Sequence, residues 1–195
     1  MDEVLSALGC VPVRECSYAE WLETGMALKD GRVDEISLED WDAVFASDVR
    51  STFYCTKTVL PFMQEQGAGS IINIGSIYGM VSPIQDIYAY KKEMTGVPFI
   101  KPVAYSAAKS GIYNLTRYLA TYWGKQGIRV NTLTPAGVWR DTQDEIFQRN
   151  FCARMPMGRM SQENEFNGSL IFLASQASSF MTGSNLVVDG GWTAW

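Results

Sequence analysis

The 195-residue sequence contains no histidine. That excludes Ser-His and Cys-His nucleophile pairs and most catalytic zinc sites, which need an imidazole to take a proton or hold the metal. Its four cysteines, Cys10, Cys16, Cys55 and Cys152, form no CxxC pair and match no zinc spacing. Free thiols in a reducing compartment are therefore expected, and no metal site. No apolar run approaches the ~20 residues that cross a bilayer. The opening MDEVLSALG lacks the basic flank of a secretory signal. A soluble, cytoplasmic protein with no membrane partner is the expectation. A basic stripe with interleaved aromatics is missing too. Net charge is −5, split into −9 over residues 1–48 and +4 over residues 49–195. An acidic first part argues against nucleic acid as a partner.

Two further motifs are absent despite partial likenesses. The stretch GSIYG at 75–79 is not a G-x-S-x-G nucleophile elbow, and no histidine exists to activate Ser76. The glycines of GAGSII at 67–72 precede an apolar run instead of following one, and a third glycine at the required spacing is missing. They read as a turn, not a dinucleotide fingerprint.

What is present suits a folded domain. Apolar residues make up 47% and charged residues 19%, outside the range of disordered tails and coiled coils. The length predicts a single domain over residues 1–195 with a sizeable core. Residues 37–66 carry Trp41, Val44, Phe45, Val49, Phe53, Thr56, Leu60 and Met63 at helical spacing. Ser37 is a suitable N-cap, with Asp40 three residues on as in a capping box. Pro61 predicts a kink, and Gly67 a stop. SIINIGS, Ser70 to Ser76, is short, β-branched and apolar, as in a buried parallel strand. Residues 77–103 predict a long loop with one short turn, and loops of that length are usually functional. A second long helix is expected over 104–125, then a strand over IRVNTLTP, short helical pieces, a helix capped by Ser161, and a last strand in NLVV. Strands separated by helical crossovers predict an α/β fold: a parallel sheet with helices on both faces.

Tyr105 and Lys109 stand one helical turn apart in YSAAK. Residues at i and i+4 share a face, so the lysine ammonium can reach the phenol. A free phenol loses its proton near pH ~10. To trade protons near neutrality it must become more acidic by roughly 2–3 units, about 3–4 kcal/mol. One cation ~4 Å away at an effective dielectric of ~20 contributes about 4 kcal/mol. Such a pair is also common by chance, as a packed tyrosine beside a solvated lysine. Its surroundings favour the chemical reading. Ser76 ends one predicted strand and Pro135-Ala136-Gly137-Val138 ends another, and open α/β sheets bind ligands at those carboxyl ends.

With GSIINIGSIYG, YSAAK, IRVNTLTPAGV and SSFMTGSNLVVDGGW, residues 37–195 resemble the short-chain dehydrogenase/reductase family. The resemblance implies a Rossmann-like, doubly wound, three-layer α/β/α fold. It implies an NAD- or NADP-dependent oxidoreductase acting on an alcohol/carbonyl pair of a small molecule. Tyr105 would be the general acid/base. Lys109 would make it more acidic and hold the nicotinamide ribose, and Ser76 would bond the substrate oxygen. Pro135, Ala136, Gly137 and Val138 would face the nicotinamide, with Asn73 on the strand leading in. The two long helices match those that pair subunits in the family, so a homo-oligomer is implied.

The sequence departs from the family in three places. The interval from Ser76 to Tyr105 is long, and its QDIYAYKKEMTGVPFIKP carries Tyr88, Tyr90, Lys91, Lys92 and Lys101. It reads either as a site for an anionic or sugar-derived substrate, as in surface-sugar pathway relatives, or as a packing insertion. Asp48 stands where the family usually has an asparagine that holds a water linking Lys109 to solvent. It would also offset part of Lys109's charge, and a solvated helix aspartate is the competing reading. Residues 1–36 lack the strand, glycine-rich turn and helix that receive the pyrophosphate. The chain thus reads as the catalytic and C-terminal half of an N-terminally truncated enzyme. A non-catalytic remnant serving in interaction or oligomerisation is the alternative.

Overall fold

Ser37 opens the first regular element. The structure is a computed structural model and describes Val33 and residues 36–195, so the atypical segment 1–36, with Cys10 and Cys16, lies almost wholly outside the described residues. Ser37 is extended, and its Oγ accepts from the Asp40 N–H at 3.0 Å. The Ser37 hydroxyl donates to Asp40 Oδ2 at 2.7 Å, closing the cap. Helix α1 spans Leu38–Phe45.

The uninterrupted helix predicted over 37–66 does not form. Ala46–Arg50 make a π turn, and α2 follows at Ser51–Gln66. One wider turn rotates all that follows relative to what precedes it. Asp48 is thereby turned into the interior, while Phe53, on the buried stripe by simple spacing, is 44% exposed. Pro61 lies inside α2, which runs on to Gln66 and ends at Gly67 in the left-handed region.

Strand β1, Gly69–Ile74, leads into the sheet. It pairs in parallel with β2, Ile128–Pro135, from Gly69 opposite Ile128 to Ile74 opposite Leu133. β2 pairs in parallel with β3, Asn185–Val188, from Thr132 opposite Asn185 to Pro135 opposite Val188. Among the described residues the sheet has the order β1-β2-β3. Between β1 and the next long helix the expected loop is more structured than its sequence suggests. It holds tight turns at Ile77–Gly79 and Gln85–Tyr88 and helix α3, Tyr90–Thr95. Helix α4 spans Val103–Trp123, two residues shorter at its end than expected. After β2 come α5, Glu145–Cys152, and α6, Asn167–Ala174.

Side chains alternate across the strands, and each face is covered. Ile71, Ile128 and Val130 pack under α4 with Leu119, Ala120 and Trp123, joined by Leu60 and Met63 of α2. Ile72 and Leu133 point the other way and meet Phe166 and Leu173 beside α6. The α4 face also carries a polar seam. Asn73 Nδ2 donates to Thr116 Oγ1 at 2.9 Å, and Thr132 Oγ1 donates to the same oxygen at 2.9 Å. The turn before α6 is capped by Gln162, not by Ser161 as expected. Ser161 instead donates its N–H to the Gly137 carbonyl at 3.1 Å, tying down the loop that leaves β2. The result is the expected α/β architecture: helix layers on both faces of a parallel sheet.

Candidate active site

The carboxyl ends of β1 and β2 open into a cavity of about 600 Å³. It brings together Asp48, Ser76, Tyr105, Lys109 and the Pro135–Val138 turn, contributed by four separate stretches of chain. The volume suits a small ligand.

Lys109 Nζ lies 5.7 Å from the Tyr105 ring centroid, so the helical spacing does set ammonium beside phenol. The same ammonium is 2.9 Å from Asp48 Oδ1 and donates to the Ile74 carbonyl at 3.4 Å. Only 11% of the Lys109 side chain and 4% of the Asp48 side chain are exposed. Asp48 is therefore not the solvated helix aspartate of the competing reading. Its Oδ2 is buried without a hydrogen-bond partner among the described residues.

Ser76 follows β1 and is held from below by a residue that sequence reasoning passed over. The Tyr113 hydroxyl accepts from the Ser76 N–H at 3.2 Å and donates to the Ser76 carbonyl at 2.7 Å. It also lies 2.9 Å from Thr134 Oγ1 on β2. Burial pushes the Tyr113 hydroxyl above its ordinary pKa, so it stays protonated. The signal was present, since Tyr113 continues the four-residue spacing of Tyr105 and Lys109 along α4. A lone helical tyrosine reads as packing, however. Gly75 is required by the same clamp: a Cβ there would stand 2.7 Å from Thr134 Oγ1 and 2.8 Å from the Tyr113 hydroxyl. The Ser76 Oγ accepts from the Tyr78 N–H at 3.2 Å, and Ser76 lines the cavity.

Asn73 falls outside this group. It lies on β1, the strand leading in, but is buried against Thr116 in the core seam and does not line the cavity. The reason is strand alternation, which turns Asn73 toward α4. Pro135, Ala136, Gly137 and Val138 do line the cavity. Gly137 packs so closely that a Cβ would meet Phe151 at 2.7 Å and Met160 at 2.8 Å.

The long interval before Tyr105 divides between the two readings of it. Tyr88, Lys91 and Lys101 line the cavity, whereas Tyr90 and Lys92 do not. Tyr90 donates its hydroxyl to Asp144, the cap of α5, and so fastens α3 to α5. Lys101 Nζ stands 4.6 Å from the Tyr105 ring centroid, nearer than Lys109. Burial lowers its pKa to about 8, with Lys109's charge adding to the fall and Asp48's opposing it. Among the described residues no group of three or more His, Cys, Asp or Glu is placed to hold a metal, and no helix is long and apolar enough to cross a membrane.

Comparison with known proteins bears on the family and the fold. A family profile described as Enoyl-(Acyl carrier protein) reductase matches residues 21–193. Gluconate 5-dehydrogenase of Gluconobacter oxydans is 35% identical over 166 residues, covering 83% of this chain and 59% of that protein. A crystal structure of a short-chain dehydrogenase from Leptospira borgpetersenii with bound NAD+ matches with a TM-score of 0.74 at 30% identity, over 86% of this chain and 61% of that one. A gluconate 5-dehydrogenase from Burkholderia cenocepacia in complex with NADP and tartrate matches with a TM-score of 0.72 at 29% identity, again over 86% and 61%. The chain thus spans 59% to 61% of the length of these relatives.

Proposed function

This chain belongs to the short-chain dehydrogenase/reductase family, and from that premise we propose that it is an NAD(P)-dependent oxidoreductase interconverting an alcohol and a carbonyl on a sugar-derived small molecule. The observation that carries the reading is the convergence of Ser76, Tyr105 and Lys109 on one cavity at the carboxyl end of a parallel sheet.

The donor set fits the nicotinamide end of such a cofactor. Lys109 and the Tyr105 hydroxyl suit a ribose diol, and the Pro135–Val138 main chain offers a wall for a flat ring. Among the described residues no glycine-rich turn leads from a strand into a helix, so the fit concerns the nicotinamide and its ribose. When bound, the cofactor supplies a hydride to the carbonyl carbon or takes one from the alcohol. The chain's own residues handle the proton. In reduction Tyr105 Oη gives its proton to the carbonyl oxygen, and Ser76 Oγ donates a hydrogen bond to that oxygen. Lys109 stabilises the phenolate left behind. Asp48, 2.9 Å from the Lys109 ammonium, offsets part of that effect. In oxidation Tyr105 Oη takes the proton back. The relatives support a sugar-derived substrate, since two of them are gluconate dehydrogenases and one of these was solved with tartrate.

We also infer a homo-oligomer paired through α2 and α4. Phe62 on α2 is 62% exposed, and Tyr118 and Tyr122 on α4 are each 64% exposed, a set of aromatic side chains that a second copy would cover.

Titration of the whole chain with NADH and NADPH, followed by tryptophan quenching, tests the reading. Saturable quenching that survives Tyr105→Phe, with turnover lowered about 10²-fold or more, is expected. No saturable signal with either cofactor would favour the non-catalytic interaction protein.

A further inference from the structure

Two phenols besides Tyr105 line the cavity. They are Tyr78 and Tyr88, only 6% and 5% exposed. The Tyr78 hydroxyl is buried with no hydrogen-bond partner among the described residues. A hydroxyl in that state has lost its bonds to water without replacement, and native folds rarely keep one. Tyr88 is its polar neighbour, close enough to act on its pKa but outside bonding geometry.

Packing holds both rings in place. Tyr78 lies in the tight turn Ile77–Gly79, where the Gly79 carbonyl accepts from the Ser110 hydroxyl at 2.7 Å. A Cβ on Gly79 would come within 2.7 Å of the Lys109 backbone, so this turn is pressed against α4. The Tyr78 ring meets Trp192 edge-on at 6.3 Å. Tyr88 stacks on Phe147 at 5.7 Å and tilts against Phe99 at 5.0 Å. Both tyrosines belong to a cluster otherwise made of Ile77, Ile87, Phe151, Met155, Met160 and Trp192. Burial raises both phenols above their ordinary pKa, so each stays protonated and keeps one donor and an acceptor. An alcohol hydroxyl offers the same two functions. A carboxylate only accepts, and its charge would be costly among these apolar side chains.

We propose that Tyr78 and Tyr88 form a second polar subsite of the cavity, whose hydroxyls bind a substrate hydroxyl other than the one that reacts at Tyr105. The assignment rests on the oxidoreductase reading and narrows its substrate class to diols and polyols. A ligand that lacks the second hydroxyl leaves Tyr78 unpaired, so the two tyrosines are specificity-determining residues. The subsite is tied to the reacting groups through the main chain, because the Tyr78 N–H donates to Ser76 Oγ at 3.2 Å.

The probes are cyclohexanol and the three cyclohexanediols, with hydroxyls on adjacent, alternate and opposite carbons. Their affinities are read by tryptophan quenching, for which Trp192 beside Tyr78 is a built-in reporter, on the whole chain, on Tyr78→Phe and on Tyr88→Phe. A neutral hydrogen bond corresponds to roughly a 2- to 13-fold change in Kd. The wild-type chain should bind at least one diol more tightly than cyclohexanol by about that factor. Each variant should lose this preference while its Kd for cyclohexanol stays unchanged. Tyr78→Phe keeps the ring and removes a hydroxyl without a partner, so its Tm should stay within about 2 °C of wild type or rise. A wild-type chain that prefers no diol, or a variant that keeps the preference or weakens cyclohexanol equally, overturns the assignment. So does a Tyr78→Phe chain that fails to fold or melts more than about 4 °C lower, because the hydroxyl would then be structural. A parallel NADH and NADPH titration reports on the oxidoreductase reading separately, because the alcohols are measured without turnover.

Discussion

Removing the Asp48 carboxylate should destabilise the fold, and the size of the loss can be worked from the ion pair. At 2.9 Å and an effective dielectric of ~20, the attraction between Asp48 and Lys109 is about 6 kcal/mol. Desolvation of the two groups cancels much of this in the intact pair. Removing one partner leaves the other charge buried and uncompensated, a loss of about 3–5 kcal/mol. The asparagine of Asp48→Asn still accepts a hydrogen bond, so the low end, about 3 kcal/mol, is expected. For a chain of this size, 1 kcal/mol moves Tm by roughly 2–4 °C. Asp48→Asn should therefore lower Tm by about 6–12 °C in a circular-dichroism melt. The pair is shielded from solvent, so the drop should persist in 1 M salt, where the screening length is only about 3 Å. Combining Asp48→Leu with Lys109→Met removes both charges and should recover most of the loss, as a double-mutant cycle would record. A fall of less than about 2 °C for Asp48→Asn, or a double variant worse than the sum of its parts, would refute the reasoning.

Other consequences follow from the same geometry. Tyr113→Phe leaves the Ser76 N–H without its acceptor, and should lower stability by about 2 kcal/mol in a denaturant melt while lowering kcat more than it changes cofactor quenching. An unchanged kcat in that variant would remove Tyr113 as the residue that positions Ser76. Gly75→Ala would press a methyl group onto Thr134 and Tyr113, and should lower the unfolding midpoint by an amount equal to about 1–3 kcal/mol. If α2 and α4 pair two copies, Phe62→Glu with Tyr122→Glu should halve the mass seen by sedimentation, and an unaltered mass would exclude that face.

Much of this architecture is legible in the linear chain because its cues are local. Ser37 and Gly67 bound the first helical stretch through cap chemistry that involves only neighbouring residues. Gly69–Ile74 reads as a buried strand from its own apolar run, and Tyr105 and Lys109 meet because four residues make about one helical turn. The resemblance to dehydrogenases rests on such short stretches too. Asp48, Asn73, Tyr113 and Lys101 are different. Asp48 reaches Lys109 only because a π turn rotates it inward, and nothing in ASDVR announces that turn. Asn73 joins the core seam because parallel pairing with β2 fixes which face of β1 lies under α4. Tyr113 finds Ser76, and Lys101 reaches the phenol, through contacts between segments far apart in the chain or separated by a folded loop. Local spacing thus decided which elements form and which side chains share a helix face. Only the packing of distant segments decided which charges are paired and which hydroxyl holds the serine. Those outcomes depend on desolvation and on a few ångströms of separation, which no short run of sequence specifies.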